Sequence, residues 1–252
     1  MRSTRAALAG CVSTVLAALA ACGSGDNGEA SKTPDQILTD VRASVAQLHS
    51  FHFAATITET SGPTSAEGEV GLPGRMHITL RQSGGVAEVI FTGGKSYLKA
   101  NRQFWDRNGS AQAGALLADR WVIVPNSAGG LNGLTDITDP AKIGDCIAGT
   151  RHGTLTKQGT ESVGGQQAVV IVDAGQVPGD APGRLWVATS GAALPLRAQQ
   201  TGPQMPGGSP HACNSETSSP NQLRSDLTYS AFNASVTIAA PSGALDLSTI
   251  AG

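Results

Sequence analysis

Ile37, Val41, Val45 and Leu48 recur at intervals of four, four and three, the spacing of one apolar face of an α-helix. Thr33-Pro34-Asp35-Gln36 stands just before them, with Thr suited to the N-cap, Pro to the first helical position and Gln to the third. The spacing predicts a helix to about His49 that lays this stripe on a sheet. At Phe51 the period drops to two. Phe51, Phe53, Ala55 and Ile57 alternate with His52, Ala54, Thr56 and Thr58, which predicts a half-buried strand. Strands follow at 76–80, 86–92 and 96–100, divided by Gly84-Gly85 and Gly93-Gly94, and such short connections predict antiparallel neighbours. A short helix is predicted over 110–119 and a short strand over 121–125. Asp139-Pro140 reads as an N-cap and first-turn pair that puts Cys146 near the end of a small helix. Strands resume at 153–160, 166–173, 184–189, 194–201, 223–231 and 235–239, and residues 201–221 form a long polar loop.

The alternation nominates an inward-facing set: Phe51, Phe53, Ile57, Ile78, Leu80, Val89, Phe91, Trp121, Ile123, Val169, Ile171, Leu185 and Val187. These residues are candidates for the wall of a ligand cavity. A dry core would produce the same pattern, because alternation reports burial and not emptiness. No internal repeat and no second apolar pattern interrupts 33–252, which is read as one domain.

The N-terminus carries a different signal. Arg2 and Arg5 precede an apolar stretch over residues 6–18, too short to cross a bilayer, and Leu19-Ala20-Ala21-Cys22 closes it. This reads as a bacterial lipobox: residues 1–21 are a lipoprotein signal peptide, and the Cys22 thiol takes a diacylglyceryl group. Further acylation of the new amino terminus, by palmitate for example, completes a stable anchor, each buried methylene contributing roughly 0.8 kcal/mol. A secretory signal with a chance cysteine at its cleavage site is the plainer alternative. The polar run Gly23-Ser24-Gly25-Asp26-Asn27-Gly28 favours the lipobox, since a lipoprotein needs such a link; 22–32 is read as a flexible tether. The expectation is an extracytoplasmic domain anchored to the cell membrane through Cys22.

Charge and cysteine content narrow the classes. Arg2 and Arg5 take two of the 17 basic residues, leaving 15 against 19 acidic ones, a mild net of −4 that excludes nucleic acid as the natural partner. Once Cys11 leaves with the signal and Cys22 is acylated, Cys146 and Cys213 remain, and an oxidising compartment makes a disulfide the default. Closing that 67-residue loop would stabilise the fold by about 4 kcal/mol in the chain-entropy model. His152 and His211 near the two cysteines raise a two-Cys, two-His metal site, but the spacing fits no common zinc module and no metal is expected. There is no Gly-x-Ser-x-Gly elbow, no His-Glu-x-x-His and no phosphate-cradling loop, so no catalytic residue, cofactor or enzyme activity is expected.

Four stretches carry a family resemblance. They are Gly94-Lys95-Ser96-Tyr97-Leu98-Lys99 with Trp105 beyond; Val163-Gly164-Gly165-Gln166-Gln167-Ala168; Gly183-Arg184-Leu185-Trp186-Val187-Ala188 running to Leu194-Pro195-Leu196-Arg197; and Tyr229-Ser230-Ala231-Phe232-Asn233 with Val236-Thr237-Ile238 and Pro241. In this order they resemble the LolA/LppX-type envelope lipoproteins, particularly the LppX/LprG-like lipoproteins of high-GC Gram-positive bacteria. The resemblance implies an α+β fold: a strongly curved antiparallel β half-barrel, helices covering its concave face, and an apolar cavity between. The better-known members carry acylated lipids or glycolipids across the envelope. The long 201–221 loop departs from the pattern. The resemblance thus implies a lipid or glycolipid carrier or chaperone. The alternative is a structural or regulatory lipoprotein that binds an envelope protein through loops such as 131–138 and 201–221.

Overall fold

Thr33 does start the first helix. In the computed structural model, which describes residues 25–125, 136–149, 152–208 and 222–246, its hydroxyl accepts from the Gln36 N–H while the Gln36 side chain accepts from the Thr33 N–H. This reciprocal box opens α1 (Pro34–Val45). The stripe Ile37, Val41 and Val45 is fully buried.

Twelve strands form one open sheet: β1 (Ser50–Glu59), β2 (Gly62–Gly71), β3 (Arg75–Gln82), β4 (Gly85–Thr92), β5 (Lys95–Ala100), β6 (Val122–Val124), β7 (Leu155–Val163), β8 (Gln166–Asp173), β9 (Gly183–Ala188), β10 (Pro195–Gln200), β11 (Gln222–Ser230) and β12 (Leu245–Asp246). The order across the sheet is β12-β6-β5-β4-β3-β2-β1-β11-β10-β9-β8-β7. Every pairing is antiparallel except β12 with β6. Two meanders, β1–β6 and β7–β11, are therefore welded by the β1–β11 ladder, from His52 opposite Ser230 to Glu59 opposite Gln222.

β2 lies where no strand is expected, because Gly-Pro-Thr-Ser-Ala-Glu-Gly-Glu-Val-Gly is poor in strand formers. Its inward positions are Ala66, Gly68 and Val70. At Gly68 the neighbouring strand approaches so closely that a Cβ would run into the His77 carbonyl oxygen. The small residue that weakens the sequence signal is the one the sheet requires.

α2 (Arg102–Asn108) and α3 (Ala111–Leu117) form a helical hairpin beside the β3–β4 turn, with Gln103 donating to the Ser83 carbonyl. Trp105, grouped with the β4–β5 hairpin in the sequence reading, belongs to α2. α4 (Ile143–Ile147) carries Cys146 in its last turn. The concave face is covered by α1 and α4; α2 and α3 stand at its end and do not cover it.

Two further expectations change. Residues 235–239 are not a strand: Val236 and Ile238 run as an extended strap across the outer face, packing on Ile90 and Tyr97 without joining the ladder. Residues 26–32 do not hang free. Asp26 bridges Ser190, and the Asn27 N–H donates to Thr189 O at 2.9 Å while its side-chain amide reaches Ala188 O and Gly191 O at 3.0 and 3.2 Å. Lys157 Nζ then donates to Ala30 O at 2.6 Å and Lys32 O at 2.9 Å. Cys22, Cys213, residues 131–135 and residues 209–221 lie outside the described residues.

Candidate functional site

The inner face is assembled by register. Tyr229, Phe53, Gly68, Ile78, Val89, Leu98 and Val122 stand opposite one another in one row across six ladders. Phe51, Phe53, Ile78, Val89, Val169, Ile171, Leu185 and Val187 are all buried, and Ile57, Leu80 and Phe91 are half-buried. Trp121 and Ile123 belong elsewhere. Ile123 pairs with Tyr97, and both residues pack with Ile90, Tyr97 and Ile238 on the outer face. Alternation sets the phase of one strand but does not say which phase faces the helices, and in β6 Val122 and Val124 take the inner positions.

Most of this inner wall is filled. Ile37, Val41 and Val45 of α1 and Ile143 of α4 pack onto the aromatic and aliphatic rows of the sheet, with the Phe51 and Tyr229 rings 6.3 Å apart. Arg42 joins the two helices, its guanidinium donating to Ala148 O at 2.8 Å and Gly149 O at 3.3 Å, the free carbonyls at the end of α4. A cavity of 180 Å³ remains beside them, walled by Leu38, Ile147, Leu155, Ile171, Leu185 and Ala198. Ile171 and Leu185 belong to the sequence-derived set. Leu38 lies one residue off the recognised helical stripe, Leu155 begins a strand otherwise polar, and Ala198 is too small to stand out in a pattern.

The cavity's rim is polar. Asp173 and Asp180 both accept from the Gly153 N–H, at 3.0 and 3.2 Å, and each takes a second backbone donor, Gly175 and Ala181 respectively, at 2.8 Å. Burial and then the Asp173 charge push the Asp180 carboxyl above its ordinary range. His152 Nε2 lies 3.5 Å from Asp35. Among the described residues, no group of three or more His, Cys, Asp or Glu is placed to hold a metal ion.

The outer face carries a larger groove, 690 Å³, along β1, β2 and β11, with Arg197 of β10, Arg81 of β3 and the β7–β8 tip (Ser162, Val163 and Gly164) at its sides. Its charges are already paired. Arg197 embraces Asp226 through both nitrogens, with Gln199 adding a donor at 2.7 Å, and Arg81 meets Glu67 at 3.1 Å. Arg197 holds the Asp226 carboxyl below its usual range. At one end Trp186 is sandwiched between Arg184 and Arg197, 4.7 and 5.0 Å from its ring, while its indole N–H donates to Glu161 at 2.7 Å. This arrangement holds strands together and offers a ligand few free groups.

A scan against models of protein families finds no match, and neither does a search of curated proteins. Solved structures do match. LprF from Mycobacterium bovis is 20% identical, with 83% of this chain and 97% of that one covered and a TM-score of 0.47. The Mycobacterium tuberculosis lipoprotein LppX is 17% identical, with 82% and 100% covered and a TM-score of 0.50. A LolA superfamily protein from Nitrosomonas europaea is 12% identical, with 82% and 95% covered and a TM-score of 0.31. At these identities the likeness speaks to architecture. No helix among the described residues is long and apolar enough to cross a membrane. The open sheet with helices on one face, shared with LppX across that protein's whole length, is the LolA/LppX-type half-barrel that the sequence leads one to expect.

Proposed function

We propose that this chain is an envelope lipoprotein, anchored through acylated Cys22, that binds the acyl chain of a lipid or glycolipid against the inner face of its half-barrel. The observation that carries this reading is the apolar cavity between α1, α4 and β8–β10. At 180 Å³ it is smaller than the roughly 300–1,000 Å³ of ordinary ligand sites, so the loaded state requires α4 to part from α1. Arg42 is the side chain that would give way, since its hydrogen bonds to the end of α4 join the two helices. A disulfide between Cys146 and Cys213 belongs to the same reading, tying α4 to the 201–221 loop.

Native mass spectrometry of the domain beginning after Cys22, expressed in a lipid-rich bacterial host and sprayed without organic solvent, tests it. A discrete added mass that fragments to acyl chains is expected. Ala198→Phe, which fills the cavity from β10, should lose that mass while keeping the fold. A clean apo mass after incubation with host lipid extract would overturn lipid binding and favour an envelope protein partner instead.

A further inference from the structure

The N-terminal segment is docked on the sheet. Asp26 and Asn27 are fastened to the turn between β9 and β10, through Ser190, Thr189, Ala188 and Gly191. Four residue steps separate Asp26 from Cys22, which reach at most about 14 Å when fully extended. Expected as an eleven-residue free link, the tether is thus a short leash fixed to one end of the sheet. The strand directions show which end. The β9–β10 turn shares its end with the β2–β3 and β4–β5 turns, because the strands between them alternate in direction across the ladder, whereas the β7–β8 turn is folded over the outer face, where Ser162, Val163 and Gly164 line the groove with Thr56, Ser65 and Arg81. Small residues stand at the turns there, with Gly191 and Ala192 between β9 and β10, Gly74 before β3 and Gly93 before β5. The cavity rim is at the other end. Asp173 ends β8, Gly183 begins β9 and Gln199 lies near the end of β10, about 17 Å along β9 from its turn with β10.

We infer that the rim holding the β9–β10, β2–β3 and β4–β5 turns lies against the headgroups of the anchoring bilayer, and that the cavity between α1 and α4 opens on the far side, away from that membrane. The inference rests on the acylation of Cys22 proposed above. It adds a direction to that reading: ligand would be exchanged with a partner or surface across the envelope, not drawn straight from the lipid that holds the anchor. The leash sets the orientation, so lengthening it releases the orientation without touching the fold.

The test uses the full acylated protein in phospholipid vesicles that contain a headgroup-attached quencher. A fluorescent non-natural residue is placed, one per variant, at Lys95 or Ala192 on the turn rim, and at Ser61 or Thr201 on the opposite end, all four being exposed. Quenching at least about threefold stronger at Lys95 and Ala192 is expected, given the length of about 23 Å that β3 spans between the ends. Inserting twenty Gly/Ser residues between Gly25 and Asp26, a coil of about 25 Å, should erase that difference. Equal quenching at both ends, or a difference that survives the insertion, overturns the inference. Mass spectrometry of the N-terminal peptide separates the two failures: an acylated peptide with equal quenching refutes the orientation alone, and an unacylated peptide removes the anchor and the orientation together.

Discussion

Strands β8 and β9 are buried on both faces, whereas β1 and β2 are buried on one. Ala168, Val169, Val170 and Ile171 are each no more than 2% exposed, and Leu185 to Ala188 are likewise buried without a break. In β1, by contrast, Phe51, Phe53 and Ala55 are buried while Thr56 and Thr58 face solvent. The inner side of both regions is closed by α1 and the residues packed around it. The outer side differs: over β8–β9 it is closed by Trp186, Leu196 and the Arg184–Glu161–Arg197 frame, and over β1–β2 it is a polar groove. A continuous apolar run therefore marks two-sided burial, and strict alternation marks a sheet with one wet face. Size is a poor guide to function here. The 690 Å³ groove has its charges paired internally, and the 180 Å³ cavity has apolar walls beside two helices held by one arginine.

The largest expected effect tests whether the outer cluster is a true core. Trp186→Ala removes a side chain that is 1% exposed and leaves Glu161 without its indole donor, so a loss of about 3–5 kcal/mol in urea unfolding is expected. A loss below about 1 kcal/mol would show that the outer face is decoration. On the inner face, Leu38→Ala should cost about 2–4 kcal/mol and also enlarge the cavity it lines. Acyl-chain loading in native mass spectrometry should then rise while thermal stability falls; a fall in both would argue that Leu38 is plain core.

Thr33→Ala breaks the capping box at the start of α1 and should cost about 1 kcal/mol by thermal unfolding. Smaller effects come from the two carboxylate environments, and their pH signs are opposite. Asp180 has a raised folded-state pKa, so its contribution is full at acid pH and is lost as pH rises through and above the ordinary carboxylate range. Asp180→Asn should therefore gain stability at neutral pH and flatten that part of the profile. Asp226 has a lowered pKa, so its contribution is present at neutral pH and lost as pH falls through the acid range. Asp226→Asn should lose stability at neutral pH and little at low pH. Parallel urea titrations at several pH values distinguish the two, and profiles of the same sign would refute the contrast between the paired groove and the desolvated carboxyl beside Asp173.

The helix start at Thr33, the apolar stripe of α1 and ten of the twelve strands were legible because each is a local pattern: a cap chemistry or a period. The helix α2 was hidden because Arg102, Gln103, Asp106 and Arg107 leave its two aromatics as the whole of its apolar signal. β2 was hidden because the pairing that makes it a strand selects Gly68 for closeness, against strand propensity. Of the candidate wall, Phe51 and Phe53 were readable from alternation, while the unbroken apolar runs of β8 and β9 carry no phase of their own and the phase of Trp121 and Ile123 was not readable.

The sequence by itself determined the local elements and the apolar character of one sheet face, since each depends on neighbours a few residues away. Tertiary structure alone decided the β1–β11 weld, the docking of residues 26–32, the outward turn of Trp121 and the size of the cavity. Those depend on residues more than a hundred positions apart meeting in space, and on how side chains fill the volume between them, neither of which a one-dimensional pattern records.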